Sequence, residues 1–152
     1  MIKKVLFVCT GNTCRSPMAE AIFKRMLKER NLDDRYSCSS AGVYAFEGDC
    51  ASPEAISVAM QNGLDLKNHY ARVLNFDMVK DAYIIFTMTR DHKRKVLDVY
   101  PESQDKIFTL KEFDEYDACD RDIIDPFGKD EKAYLDCIRE IETVLSKILD
   151  RL

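Results

Sequence analysis

The sequence has no tryptophan, only five glycines, four prolines and two histidines, and no CxxC pair among its six cysteines. So few glycines and prolines exclude a low-complexity or fibrous chain. Cysteines without CxxC spacing argue against a zinc ribbon. No apolar run is long enough for a membrane span or a signal-peptide core, since the run ending Val5-Leu6-Phe7-Val8-Cys9 stops at a glycine turn. There is no basic excess either. Lys and Arg number 23 against 27 Asp and Glu, a formal charge of −4, so no positive field favours nucleic acid or an anionic membrane. Cysteines without an export signal imply a reducing compartment, with the cytoplasm as the expected location.

What is present suits one compact domain spanning 1–152. Of the 152 residues, 46% are hydrophobic and 33% charged, enough to bury a core that needs neither disulfides nor a structural metal. Lys4 to Val8 reads as a strand. After a Thr-Gly-Asn turn, Ala19, Ile22, Phe23, Met26 and Leu27 fall on one helical face, with Ser16 expected to cap that helix and Pro17 to sit in its first turn. Tyr36 to Ser40 is a second strand candidate, and Ser52-Pro53-Glu54 opens a helix that Asn62-Gly63 ends. Ala82 to Met88 has the continuous apolar character of a central parallel strand. Thr89 opens a charged helix ending before Pro101, with His92 expected in solvent near its start. Ile107 to Leu110 gives a fourth strand, and Asp130 caps a long amphipathic helix reaching Leu152. Strands alternating with helices predict a doubly wound, parallel four-stranded α/β sheet with helices on both faces and ligand sites at the carboxyl ends of strands.

Cys9 stands at such an end. Cys9-Thr10-Gly11-Asn12-Thr13-Cys14-Arg15-Ser16 has the spacing C-x5-R-S. With six cysteines and ten arginines, about 0.4 such pairs arise by chance, so the placement between strand and helix carries the weight. Successive loop N–H groups and a helix N-terminus there converge on one anion. Arg15 adds a planar two-pronged donor for phosphoryl oxygens. The same positive surroundings favour a Cys9 thiolate, and Ser16 is placed to donate to it. A tetrahedral dianion cradled above a thiolate is the arrangement for in-line attack on phosphorus, giving a phosphocysteine intermediate with no metal or cofactor.

The run Val8-Cys9-Thr10-Gly11-Asn12-Thr13-Cys14-Arg15-Ser16-Pro17-Met18-Ala19-Glu20 resembles the signature of the low-molecular-weight protein tyrosine phosphatases. Ser40-Ala41-Gly42, His69-Tyr70-Ala71-Arg72 and Asp125-Pro126-Phe127-Gly128 follow in that family's order, so the resemblance covers essentially the whole chain. It implies a general acid at Asp125, phosphate binding along Thr10 to Ser16, a His69 that pins Ser40 and the loop from behind, and specificity at Thr13, Phe46 and Phe127. Thr13, Ser40-Ala41-Gly42-Val43 and Phe108-Thr109-Leu110-Lys111-Glu112 resemble the bacterial protein-arginine phosphatase branch. A hydroxyl at Thr13 can orient a guanidinium group, which an aliphatic side chain cannot. Eight acidic residues between Asp114 and Glu131 also suit a cationic substrate, although a charge cluster ordinarily means a soluble loop.

The expected substrates are therefore phosphorylated protein side chains, phosphoarginine first and phosphotyrosine as the alternative. For arsenate reduction on the same fold the resemblance would require relay cysteines around the third strand and the helix after it, and Ala82 to Pro101 contain none. A non-catalytic phosphate-binding module has no use for a nucleophile or an acid. Cys14 is either an ordinary loop residue or the partner that closes a reversible disulfide with Cys9. Cys38, Cys50, Cys119 and Cys137 are expected to be packing or surface thiols.

Overall fold

The computed structural model describes residues 1–113 and 122–152; the first half of the acidic run and Cys119 lie outside the described residues. Four strands form one parallel sheet: β1 (Lys3–Cys9), β2 (Tyr36–Gly42), β3 (Ile84–Thr87) and β4 (Ile107–Thr109), in the order β2-β1-β3-β4. The chain leaves β1 for one edge of the sheet and later returns to its other side. The carboxyl end of β1 is thus the switch point at which such sheets bind ligands.

Both faces are covered, as the alternation of apolar strands and helices predicts. Val5 and Phe7 of β1 point to one side, where α1 (Arg15–Glu29), α2 (Pro53–Gln61) and α6 (Glu131–Leu149) bury Ile22, Phe23, Ile138 and Ile141. Leu6 and Val8 point to the other, against Val79 of α3 (Phe76–Asp81) and Val96 of α4 (Arg90–Val99). A 3₁₀ turn at Pro101–Lys106 leads into β4, and α5 (Leu110–Phe113) follows it.

The structure moves several expected boundaries. β1 and β2 each run further than expected, in register from Lys3 opposite Tyr36 to Cys9 opposite Gly42, while β3 keeps only four residues of the apolar run around it. Helix α3 was not foreseen; it has six residues, too few to show periodicity, and is capped by Asn75, whose side chain accepts from the Met78 N–H. The long C-terminal helix ends at Leu149, its start capped by Asp130 as expected.

Ser16 is not a cap. The first helix starts two residues earlier than a Ser16 cap implies, at Arg15, with Cys14 in the cap position and no side-chain cap bond. Ser16 lies inside the first turn and its hydroxyl is directed at Cys9 instead. Ser52, with the same Ser-Pro signal, does cap its helix by accepting from the Ala55 N–H at 3.2 Å.

Candidate active site

The loop from Cys9 to Arg15 wraps a cavity of about 200 Å³ lined by Cys9, Thr10, Gly11, Thr13, Cys14 and Arg15, with Asp125 and Phe127 reaching over it. It brings together most of the residues the sequence singled out. Asn12 and Ser16 lie behind the loop rather than in its wall, and Phe46 is exposed and outside the lining residues.

The loop keeps its shape through a buried hydrogen-bond network centred on Asn12. Asn12 adopts φ 57°, in the left-handed region that asparagine tolerates better than most side chains. Its Nδ2 donates to Ser16 Oγ at 2.8 Å and to Ser40 Oγ at 2.9 Å, and its Oδ1 accepts from the Arg72 N–H at 2.9 Å. His69 Nε2 donates to the Asn12 carbonyl at 2.7 Å. His69 thus reaches the loop through Asn12 and not Ser40, which the resemblance has it pin as well. Ser40 is held separately, by Asn12 and by donating to Glu20 Oε1 at 2.6 Å.

Proton directions in this chain follow from its ends. The Glu20 carboxylate takes the Ser40 proton, and Asn12 offers Ser40 and Ser16 one hydrogen each. Ser16 thus has its own proton left for Cys9 Sγ, 2.8 Å away. Backbone contact tightens the same region, since a Cβ on Gly42 would stand 2.4 Å from the Thr10 carbonyl oxygen and 3.0 Å from the Asn12 nitrogen. Only glycine lets β2 pass this close.

Cys9 is buried, and this qualifies the expectation from sequence. Burial pushes the Cys9 thiol above its ordinary value, because a thiolate away from water loses solvation. Working against burial are the Ser16 hydroxyl, the Arg15 guanidinium and the backbone N–H groups of Ser16 and Asn12. The sequence displays these donors but not the burial they oppose. Ionisation of Cys9 therefore depends on every donor in the cradle.

Arg15 is buried at 5% exposure, with one guanidinium nitrogen donating to the Ile123 carbonyl at 2.8 Å and another 3.5 Å from Asp125 Oδ2. Asp125 is half exposed, and its Oδ1 accepts from the Phe127 N–H at 3.0 Å, which sets the Asp-Pro-Phe turn. The segment is fixed to the sheet by Ile123, whose N–H donates to the Met88 carbonyl just beyond β3. The acid thus stands on the rim, facing the arginine across the cavity.

Cys14 Sγ approaches Ser52 Oγ at 3.2 Å and Tyr134 Oη at 3.6 Å, and both Cys9 and Cys14 are free thiols. Burial pushes Cys38 and Cys137 up to about 12, while Cys50 is exposed.

His92 corrects the sequence reading. Rather than solvated, it is 3% exposed, and Nε2 lies 2.8 Å from Thr10 Oγ1 in the loop. Its spacing from Val96 on the buried face of α4 was the signal available in the sequence. Among the described residues no helix is long and apolar enough to cross a membrane.

Comparison with known proteins agrees with this geometry. Residues 4–152 match the family model described as low molecular weight phosphotyrosine protein phosphatase. The chain is 35% identical to a protein-arginine-phosphatase of Bacillus subtilis (strain 168), covering 97% of this chain and 95% of that one. It is 38% identical to the protein-arginine-phosphatase of Geobacillus stearothermophilus, over 98% and 95% of the two chains. Among solved structures, a low molecular weight protein tyrosine phosphatase from T. tengcongensis superposes with a TM-score of 0.92 at 40% identity, covering 99% of each chain. The YwlE arginine phosphatase, as a cysteine-to-serine mutant with a phosphorylated active-site serine, superposes with a TM-score of 0.90 at 33% identity, over 98% of this chain and 95% of that one. With a C-x5-R loop at the switch point of a parallel sheet and relatives matched over nearly its whole length, the chain belongs to the low molecular weight phosphotyrosine protein phosphatase family of cysteine-dependent phosphatases.

Proposed function

We propose that this chain removes phosphoryl groups from protein side chains in the cytoplasm, phosphoarginine before phosphotyrosine, with Cys9 as nucleophile, Arg15 and the loop amides as phosphate clamp, and Asp125 as acid and then base. The observation that carries this reading is one cavity holding Cys9 at the loop, Arg15 beside it and the Asp125 carboxylate on the rim. In the first step Cys9 sulfur bonds to phosphorus while the bond to the side-chain nitrogen or oxygen breaks. That atom leaves with the proton of Asp125. Water then attacks the phosphocysteine, Asp125 takes its proton, and inorganic phosphate departs from the restored thiolate.

Thr13 in the cavity wall supports phosphoarginine, since its hydroxyl can accept from a guanidinium N–H. The relatives from B. subtilis and G. stearothermophilus carry the name protein-arginine-phosphatase, which points the same way. One feature favours phosphotyrosine: exposed Phe127 lines the mouth, where its ring can lie against a phenyl group.

The test is the ratio of kcat/KM for phosphoarginine and phosphotyrosine peptides in the native protein and in Thr13→Ile, which keeps the branching and deletes the hydroxyl. A lost hydrogen bond of about 0.5–1.5 kcal/mol, with a more apolar wall, swings the ratio roughly two- to tenfold or more towards phosphotyrosine. An unchanged ratio removes Thr13 as the selector. Alongside it, Cys9→Ser abolishes turnover while retaining vanadate binding, and substantial residual turnover would contradict a phosphocysteine intermediate.

A further inference from the structure

His92 sits outside the catalytic loop in sequence, yet the first turn of α4 presses its ring against that loop. Its backbone N–H donates to Thr89 Oγ1 at 3.1 Å, which fixes the start of α4 and with it the ring position. Nε2 meets Thr10 Oγ1 at 2.8 Å, whereas Nδ1 is buried with no hydrogen-bond partner among the described residues. This asymmetry fixes the tautomer. Burial holds His92 neutral at ordinary pH, so only one ring nitrogen carries a hydrogen. A buried N–H without an acceptor is among the rarest arrangements in folded proteins, and a buried lone pair is tolerated better. The hydrogen therefore belongs on Nε2, and His92 donates to Thr10.

The consequence falls on the hydroxyl. Thr10 Oγ1 accepts from His92 and has no other partner among the described residues, so its own hydrogen is left for an acceptor outside the chain. Thr10 is exposed and lines the cavity beside Cys9. We propose that His92 is a positioning residue that commits the Thr10 hydroxyl as a donor to a phosphoryl oxygen of the bound substrate, making Thr10 a side-chain contact of the phosphoryl group in addition to the loop amides. This rests on the cavity being the phosphoryl site.

Five variants and one spectrum test it. Thr10→Val removes the hydroxyl at nearly constant shape. Loss of a hydrogen bond to a charged oxygen lowers kcat/KM, and weakens competitive inhibition by inorganic phosphate, by about ten- to a hundredfold. His92→Leu produces a loss of the same size. His92→Gln, whose amide nitrogen can replace Nε2 as donor, recovers most of it. The double variant Thr10→Val with His92→Leu is no worse than either alone, because both remove one interaction. Were His92 merely packing, its variants would shift the melting temperature and leave phosphate inhibition unmoved. Nitrogen-15 NMR of the native protein reads the tautomer directly, whatever the folding of the variants. A hydrogen on Nδ1 overturns the proposal. So does native kcat/KM and phosphate inhibition in Thr10→Val while Cys9→Ser is inactive. Turnover persisting in Cys9→Ser would instead overturn the assignment of the cavity, and this proposal with it.

Discussion

Replacing Asn12 by Asp changes one heavy atom and tests whether the loop controls the charge of its nucleophile. The carboxylate has the shape of the amide and can still accept from the Arg72 N–H, as Asn12 Oδ1 does at 2.9 Å. Aspartate also tolerates the left-handed backbone at φ 57°. What changes is the atom that donates to Ser16 at 2.8 Å and to Ser40 at 2.9 Å. An acceptor there draws the Ser16 proton away from Cys9. It also places a negative charge behind the thiolate and forces Ser40 to share one proton between two carboxylates, the other being Glu20. The first two effects raise the Cys9 thiol, whose burial already pushes it up. A hydrogen bond to a charged group is worth about 1.5–3 kcal/mol, and one pKa unit is about 1.4 kcal/mol, so the thiol rises by roughly one to two units. At fixed pH below the pKa, each unit costs about tenfold in thiolate.

The assay is the rate of Cys9 alkylation by iodoacetamide against pH, beside the acid limb of kcat/KM, and both move upward together. Asn12→Gly separates charge control from stability. Glycine suits the backbone but deletes three hydrogen bonds and strands the Arg72 N–H, a loss of about 3–5 kcal/mol in unfolding free energy. Ser16 stays free to donate to Cys9, so the alkylation profile shifts less than in Asn12→Asp. An unmoved profile in Asn12→Asp would refute the claim that Asn12 sets the proton direction of the network.

Other consequences are equally measurable. Asp125→Asn lowers turnover about a hundred- to ten-thousandfold on substrates with poor leaving groups and much less on nitrophenyl phosphate; equal losses on both would show that Asp125 is not the proton donor. Peroxide oxidises Cys9 to the sulfenic acid, Cys14 condenses with it to a disulfide and water, and a thiol reductant restores activity; Cys14→Ser loses this recovery, and equal recovery would remove Cys14 from any protective role. Burial lowers His92 from 6.5 to about 4, so the unfolded chain binds the extra proton between these values. Stability attributable to neutral His92 is complete above about pH 6.5 and falls as pH drops towards 4, by about 3 kcal/mol at most. Unfolding curves of His92→Gln measured from pH 7 to 4 are correspondingly flatter than those of the native protein.

How far the site could be read from sequence depended on whether a residue's partner was local. The C-x5-R loop was legible because strand, turn and helix are neighbours in the chain, and Asp125 because Pro126 and Phe127 mark it out from other acids. Ser16 and Ser52 show where local reading stops. Both precede proline and both carry a helix-start signal, but only Ser52 caps, at 3.2 Å from the Ala55 N–H. Ser52 keeps its cap alongside Cys14 Sγ at 3.2 Å and Tyr134 Oη at 3.4 Å, whereas Ser16 is placed between the buried Cys9 sulfur at the end of the preceding strand and the Asn12 amide. With the helix starting at Arg15, Ser16 lies inside the first turn, where its hydroxyl meets the strand end and the Asn12 amide and caps no helix N–H.

His92 follows the same logic from the opposite side. Its charged neighbours Asp91 and Lys93 make the segment look solvated, while the single ring that turns inwards meets a hydroxyl 82 positions earlier in the chain. Residues whose roles escaped the sequence are thus those whose partners lie across the switch point of the sheet, where β1, β2 and β3 bring distant segments together. Parallel strands make this unavoidable. Their carboxyl ends gather loops separated by whole crossover helices, so a site built there is held by contacts that no local pattern records. Gly42 is the clearest case. Its lack of a side chain has no meaning within β2, and acquires one only because the Thr10 carbonyl oxygen would stand 2.4 Å from the Cβ it does not have.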